Sequence, residues 1–125
     1  MEAQHQRRSP QDIRERTFDF ACRIVKLHQY LYKKGGTERA IGVQVLRSGT
    51  SIEANLEEAN AGQTKRDFIA KSSISLKEAR ETYFWLRLLL ATNLVSAARL
   101  NLLLMENNEI VSILTVLVKN AKDNA

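Results

Sequence analysis

Apolar residues recur along this chain at intervals of three or four, the spacing that places side chains on one face of an α-helix. The first such stripe follows Ser9-Pro10, a pair typical of a helix start, and it stops at Gly35-Gly36, where glycine allows a helix to end. A second stripe follows Thr37, which we expect to cap the helix, and stops at Gly62. The two stripes are Phe20, Ile24, Leu27 and Leu31, then Ile41, Val45, Ser48, Ile52, Leu56 and Ala59.

Two more helices are predicted in the second half of the chain. Thr64 and Asp67 form a variant of the capping box at the start of the third helix, and the fourth helix begins near Ser96. The core stripe of the third helix is Phe68, Ser72, Ser75, Leu76, Ala79, Tyr83, Leu86 and Leu90. That of the fourth is Leu103, Asn107, Ile110, Leu114, Leu117 and Ala121, widened by Leu104, Val111 and Val118.

Short connections between four long helices predict an all-α fold, an antiparallel up-down-up-down four-helix bundle. We assign residues 10–125 to this domain and residues 1–9 to a flexible amino-terminal tail. Small residues of the second helix, Gly42 and Gly49 among them, are expected to pack closely on small residues of the third, such as Ser72 and Ala79.

The third helix has apolar residues on its outer side as well. Ile74, Phe84, Trp85 and Leu88 lie opposite the core stripe, so the end of this helix is apolar nearly all round. A small soluble protein must cover such a face, and another copy of itself is the simplest cover. These four residues are therefore the candidate interface of a ring-like homo-oligomer.

Composition places the chain among ordinary soluble proteins. Its 125 residues suit one domain, and 44% are hydrophobic against 26% charged. The longest uninterrupted apolar runs are far shorter than the roughly 20 residues that cross a bilayer, so we expect no membrane partner. The single cysteine, Cys22, fits a reducing cytoplasm, and we expect it to be a small core residue.

The net charge of +5 is concentrated in residues 1–47 and 65–87. On the third helix Arg66, Arg80 and Arg87 lie within about 60° of one another, with Lys77 beside them. On the first helix Arg16 and Arg23 are two turns apart. These six residues are the candidate nucleic-acid-binding residues, although interspersed surface charge is more commonly a solvated face.

Catalysis is not indicated. Di-iron bundles need two Glu-x-x-His pairs, and the only such pair here is Glu2 and His5 in the tail. Glu53 and Glu57, one turn apart and off the core stripe, are expected to face solvent. We therefore predict no catalytic residue, no metal site and no cofactor.

One polar pattern is more distinctive. Ser51, Asn55 and Glu58 follow one another at helical spacing on the second helix, and Glu81 lies on the third. Asn55 adjoins the core stripe and would need buried partners, so local hydrogen bonds among the first three are expected. We interpret all four as structural residues that position the two helices.

The same residues carry a resemblance to a known family. The Ser-Ile-x-x-Asn-x-x-Glu pattern of residues 51–58, with Asp67-Phe68-Ile69, residues 73–82 and Trp85-Leu86, resembles bacterial four-helix-bundle proteins encoded within intervening sequences of large-subunit rRNA genes. The similarity covers residues 14–121, and the superfamily includes the accessory variability determinant of diversity-generating retroelements. The resemblance implies a homopentameric, barrel-like assembly and, for the retroelement relative, binding of RNA and of a reverse transcriptase.

Two functions stay open at this point. The basic rows could bind structured RNA by its shape and backbone, because no series of interleaved aromatic residues indicates base recognition. Alternatively, the protein could be an interaction scaffold or an accessory subunit, for example to a reverse transcriptase, with Phe84 and Trp85 as the anchor for the partner protein.

Overall fold

A computed structural model describes residues 10–62 and 64–124, and the described residues form four helices without a strand. The helices are α1 (Pro10–Lys34), α2 (Gly36–Ala61), α3 (Lys65–Ala91) and α4 (Ala97–Asp123). The all-α prediction is confirmed. The predicted tail, with Ser9 and the Glu2 and His5 pair, lies outside the described residues.

The helix starts follow local side-chain chemistry, with one correction. The Thr64 side chain accepts a hydrogen bond from the Asp67 amide at 3.1 Å, and the Ser96 side chain accepts one from the Arg99 amide at 3.3 Å. The expected Thr37 cap is wrong, because α2 already begins at Gly36 and no side chain caps it. Gly35 and Gly36 both have positive φ, 74° and 55°, so the chain turns within one residue between α1 and α2.

Each helix packs against two others. Backbone contacts join α1 to α2, α2 to α3, and α3 to α4, and they are sparsest between α1 and α4. Arg14 and Thr17, early in α1, bond to Glu57 and Glu53, late in α2. Late α2 residues likewise meet early α3 residues, as in the ion pair between Glu58 and Lys71.

The core follows the predicted stripes, with shifts of one residue. Every predicted position of α1 is buried, whereas Ile41 of α2 is only half-buried. At two predicted positions of α3 the buried residue is the neighbour of the predicted one. Thr82 is buried instead of Tyr83, and Leu89 is buried instead of Leu90. Thr82 can be buried because its hydroxyl lies 2.8 Å from both the Ser48 hydroxyl and the Glu78 carbonyl oxygen. In α4, Val118 replaces Leu117 in the same way.

The two buried glycines of α2 face α1, which corrects the expectation that they pack on α3. A Cβ on Gly49 would lie 2.8 Å from Cγ2 of Ile24, and one on Gly42 would lie 3.0 Å from Cβ of Leu31. Such distances require backbones that approach closely. The α2–α3 contact instead uses hydroxyl groups, including that of Ser75, which donates to the Ile52 carbonyl at 2.8 Å.

Two further details concern the surface. Cys22 is exposed, so the expectation of a core cysteine is wrong. By length and composition α4 could cross a membrane, the one helix of the described chain that meets this test. A helix that supplies one wall of a bundle core has the same properties, and α4 buries Leu100, Ile110 and Leu114 in this way.

Candidate nucleic-acid interface

The outer side of α3 carries the basic row predicted from the sequence, and we call it the α3 basic row: Arg66, Lys77, Arg80 and Arg87. All four side chains are exposed, and within the described chain none has a carboxylate at ion-pair distance. The Arg87 guanidinium carbon lies 5.9 Å from the centre of the Tyr83 ring. The row therefore presents four charges that the bundle itself leaves uncompensated.

The predicted row on α1 is not available in the same way. Arg16 makes two hydrogen bonds with Glu106 of α4, at 3.0 and 2.7 Å, and a third with Glu109 at 2.5 Å. The Glu106 carboxylate raises the pKa of this guanidinium. Arg16 thus fastens α1 to α4, which corrects its assignment to a nucleic-acid surface, whereas Arg23 is exposed.

The four motif residues do not form the predicted group. Ser51 donates to the carbonyl of Arg47 at 2.7 Å, and half-buried Asn55 donates to the carbonyl of Ser51 at 2.8 Å. Glu58 is exposed and pairs with Lys71 at 2.6 Å. The expectation of shared side-chain hydrogen bonds is therefore wrong, since each side chain bonds to backbone or to α3.

Glu81 does connect α2 and α3, through a partner that the sequence did not indicate. It accepts hydrogen bonds from Arg47 of α2 and, at 3.0 Å, from the indole nitrogen of Trp85. Arg47 also reaches Glu78 at 3.3 Å. This cluster fixes the edge of α3 that faces α2.

The candidate oligomer interface is only partly exposed. Ile74 and Phe84 are exposed, whereas Trp85 and Leu88 are half-buried, and Trp85 packs against the core. The Phe84 and Trp85 rings meet edge to face with centres 4.9 Å apart. On a helical wheel Ile74 and Trp85 lie on the α2 side of α3, while Arg80 and Arg87 lie on the α4 side.

Apolar exposure also occurs outside α3, where sequence reasoning did not place it. Leu102, Met105 and Val116 form a row along α4, and Leu102 is 68% exposed. Phe18 of α1 is 59% exposed. These three residues are spaced by close to multiples of 3.5, which places them on one face of α4, so the row could have been predicted from the sequence.

A buried carboxylate on the flank of α2 that faces α1 was also missed. Glu53 was expected to face solvent, but it is only 7% exposed and accepts a hydrogen bond from the Thr17 hydroxyl at 2.7 Å. Burial and the hydrogen bond with Glu57 raise the pKa of Glu53 to about 7, while Glu53 and Arg14 hold the pKa of Glu57 low. Thr17, a polar residue one turn before Phe20 on the same face of α1, was the available signal.

An open cleft of about 430 Å³ lies beside this pair, lined by Arg14, Glu15, Phe18, Asp19, Glu53 and Glu57. Across the described residues, no group of three or more His, Cys, Asp and Glu side chains is arranged to hold a metal ion. The contact between Glu53 and Thr17 of α1 makes the buried carboxyl group part of the packing between α1 and α2. The absence of catalysis stays a prediction.

Comparisons with other proteins identify the family. Residues 10–116 match the 23S rRNA-intervening sequence protein family. The crystal structure of a protein of unknown function from the S23 ribosomal protein family of Bacteroides thetaiotaomicron is 37% identical, with a TM-score of 0.81. The match covers 88% of this chain and 97% of that one. No curated protein sequence is significantly similar. This chain belongs to the family of 23S rRNA-intervening sequence proteins.

Proposed function

We propose that this protein is a non-enzymatic, homo-oligomeric four-helix bundle that binds structured RNA through the α3 basic row. The observation that carries the proposal is the contrast between two kinds of cation. Arg14, Arg16 and Arg47 are each paired with a glutamate of a neighbouring helix, whereas the row has no such partner among the described residues. Unpaired cations can neutralise phosphates, and that electrostatic contact supplies most sequence-independent affinity for nucleic acid.

RNA is the proposed polyanion because the family is described by its relation to 23S rRNA. The row favours recognition of shape and backbone. Among the described residues of α3, Phe84 is the one exposed aromatic side chain, whereas proteins that bind single strands use several stacked aromatic residues. We therefore expect the affinity to depend little on base composition.

We further propose an antiparallel up-down-up-down bundle that assembles as a ring, with a homopentamer favoured by the family resemblance. The reversed order of the contacts between consecutive helices supports the topology. Exposed apolar residues on two different helices, Ile74 of α3 and the α4 row, support the ring, since a ring needs two different complementary faces. Five copies of a chain with net charge +5 would carry about +25.

Light scattering of the purified protein tests the assembly. The expected mass is five times the 14.2 kDa of the chain. Ile74→Asp should reduce it, whereas Val25→Asp, which replaces an exposed apolar residue of α1 outside both candidate faces, should not. A stable monomer at micromolar concentration would contradict the proposal.

Filter binding of a structured RNA at several salt concentrations tests the RNA interface. Replacing Arg66, Arg80 and Arg87 by Gln should weaken binding and reduce the salt slope by about 1 for each lost phosphate contact. The control is Lys119→Gln with Lys122→Gln, which removes two exposed charges from the end of α4. Circular dichroism should show equal helicity in all variants.

The second candidate function is a protein-interaction scaffold or an accessory subunit, for example to a reverse transcriptase. The exposed Phe84 ring, seated on Trp85, favours it, because aromatic side chains are frequent anchors in protein interfaces. Unchanged RNA affinity after loss of the three arginines would favour this function over RNA binding. Phe84→Ala should then weaken the partner complex.

A further inference from the structure

A second basic site lies in the groove between α1 and α4. An open cleft of about 210 Å³ is lined by Arg23 and Lys26 of α1 and by Arg99 of α4, over apolar residues that include Leu27 and Leu103. The described residues that line it include three cations and no carboxylate. We call this site the α1–α4 cleft.

The charges of this cleft are not neutralised inside the bundle. In the described chain, none of the three cations has a carboxylate within ion-pair distance, although Arg16 in the same groove is paired with Glu106. Like charges that face one cleft repel one another, and an anion between them removes that repulsion. The first turn of α4, which borders the cleft, also contains no acidic residue. The amino-terminal end of the α4 helix dipole therefore adds positive potential to the cleft.

Arg99 is held in place by an aromatic side chain. Its guanidinium carbon lies 3.8 Å from the centre of the Tyr30 ring, and the Lys34 ammonium lies 5.0 Å from the same ring. Tyr30 is itself half-buried and packs against the core. Stacking uses the flat face of a guanidinium and leaves the N–H groups at its edge free to donate hydrogen bonds.

We propose that the α1–α4 cleft binds a phosphate group. Two guanidinium groups and one ammonium group can donate hydrogen bonds to several oxygens of one phosphate group, whereas a carboxylate offers only its two oxygens. The apolar floor can accept the carbon part of a phosphate ester. The site goes beyond the proposed function, because it contains no residue of the α3 basic row. The phosphate group can belong to RNA or to a small molecule.

Calorimetric titration with inorganic phosphate at constant ionic strength tests the site. The wild-type protein should bind phosphate saturably, and Arg23→Gln with Lys26→Gln should weaken binding by at least about tenfold, since hydrogen bonds to charged groups are lost. The control is Lys119→Gln with Lys122→Gln, which removes two exposed cations outside both basic surfaces and should leave phosphate binding unchanged. Equal affinity in the cleft variant, or no saturable binding by the wild type, would overturn the proposal.

Two further arms complete the design. Arg99→Lys keeps the charge but changes the stacked group, so it should bind phosphate at reduced affinity with unchanged helicity. Binding of a short RNA duplex shows where the phosphate group comes from. If it belongs to RNA, the cleft variant should also bind the duplex more weakly, and inorganic phosphate should compete with the duplex for the wild-type protein. If duplex binding is unchanged while phosphate binding is lost, the ligand is a small phosphate compound. A failure of the α3 row to bind RNA would leave the phosphate result unaffected.

Discussion

The two flanks of α1 are packed in opposite ways. Toward α2, Gly42 and Gly49 allow close backbone approach, and the carboxyl group of Glu53 is buried against Thr17. Toward α4, contacts are sparser, and a surface ion cluster around Arg16 borders an open basic cleft. Both flanks belong to one helix with a regular apolar stripe.

The difference shows that residues beside the stripe decide how close two helices come. A glycine or a small hydroxyl residue at the margin lets the neighbouring helix approach, whereas an arginine holds the helices apart and joins them through its own length. On the α2 flank, Gly42 and Gly49 leave no space between the two backbones, and the open cleft beside Glu53 is lined by acidic as well as basic residues. On the α4 flank, the described residues that line the α1–α4 cleft include three cations and no carboxylate.

The largest expected effect follows from adding one methyl group to the closer flank. Gly49→Ala would place a Cβ against fully buried, β-branched Ile24, which cannot move aside. We expect a loss of about 1 to 3 kcal/mol in the free energy of unfolding, despite the higher helix propensity of alanine. Urea denaturation measures it. Ala54→Ser, at an exposed position of α2, is the control, and equal stability of both variants would contradict the packing.

The next effect concerns the opposite flank. Arg16→Gln should lower the free energy of unfolding by about 1 to 2 kcal/mol, because it leaves half-buried Glu106 without its bidentate partner. A double-mutant cycle with Glu106→Gln should give a favourable coupling energy. A coupling energy of zero would mean that the cluster does not fasten α1 to α4.

The third effect depends on pH. The pKa of Glu53 is about 7 in the folded protein, above its ordinary value of 4.5. The folded state therefore binds more protons between these values, so stability falls as pH rises through this window. Glu53→Gln should be more stable than wild type at pH 8, by on the order of 1 kcal/mol, and the gain should vanish near pH 5. Thermal melts across this range measure it.

The control for this pH effect is Glu15→Gln, which removes an exposed carboxylate from the rim of the same cleft. It should keep the wild-type pH dependence. If Glu53→Gln kept that dependence too, the titrating group would be a different one.

The smallest effect is expected for the exposed ion pair on the closer flank. Arg14 and Glu57 are 2.7 Å apart, but their side chains are 32% and 55% exposed. Arg14→Gln should therefore change the free energy of unfolding by less than about 1 kcal/mol, well below the change for Arg16→Gln. The same denaturation experiment compares the two variants. A larger loss for Arg14→Gln than for Arg16→Gln would contradict the conclusion that packing stabilises the α2 flank of α1 and ion pairs stabilise the α4 flank.

Much of this fold could be predicted from local patterns. The apolar stripes placed the four helices, and the caps at Thr64 and Ser96 depend on neighbouring residues alone. The α3 basic row could be predicted because its residues lie away from a strong apolar stripe, and such residues face solvent once the stripe packs against the core. The family could be recognised from the residue 51–58 pattern.

Features that depend on a second helix could not be predicted in this way. Burial of Glu53 requires the Thr17 hydroxyl of α1, and burial of Thr82 requires the Ser48 hydroxyl of α2. Arg16 looked like a free surface cation because Glu106 is 90 residues away in the chain. The spacing of residues within one helix does not show which residue of another helix will contact the edge of its apolar stripe.

The single-residue connection at Gly35 has a consequence for the order of folding. Closing a loop costs less entropy when the loop is short, so α1 and α2 can pair as soon as both helices form. The Arg16 and Glu106 contact must wait until almost the whole chain is in place. We therefore expect the groove between α1 and α4 to close last during folding and to open first in native-state hydrogen exchange.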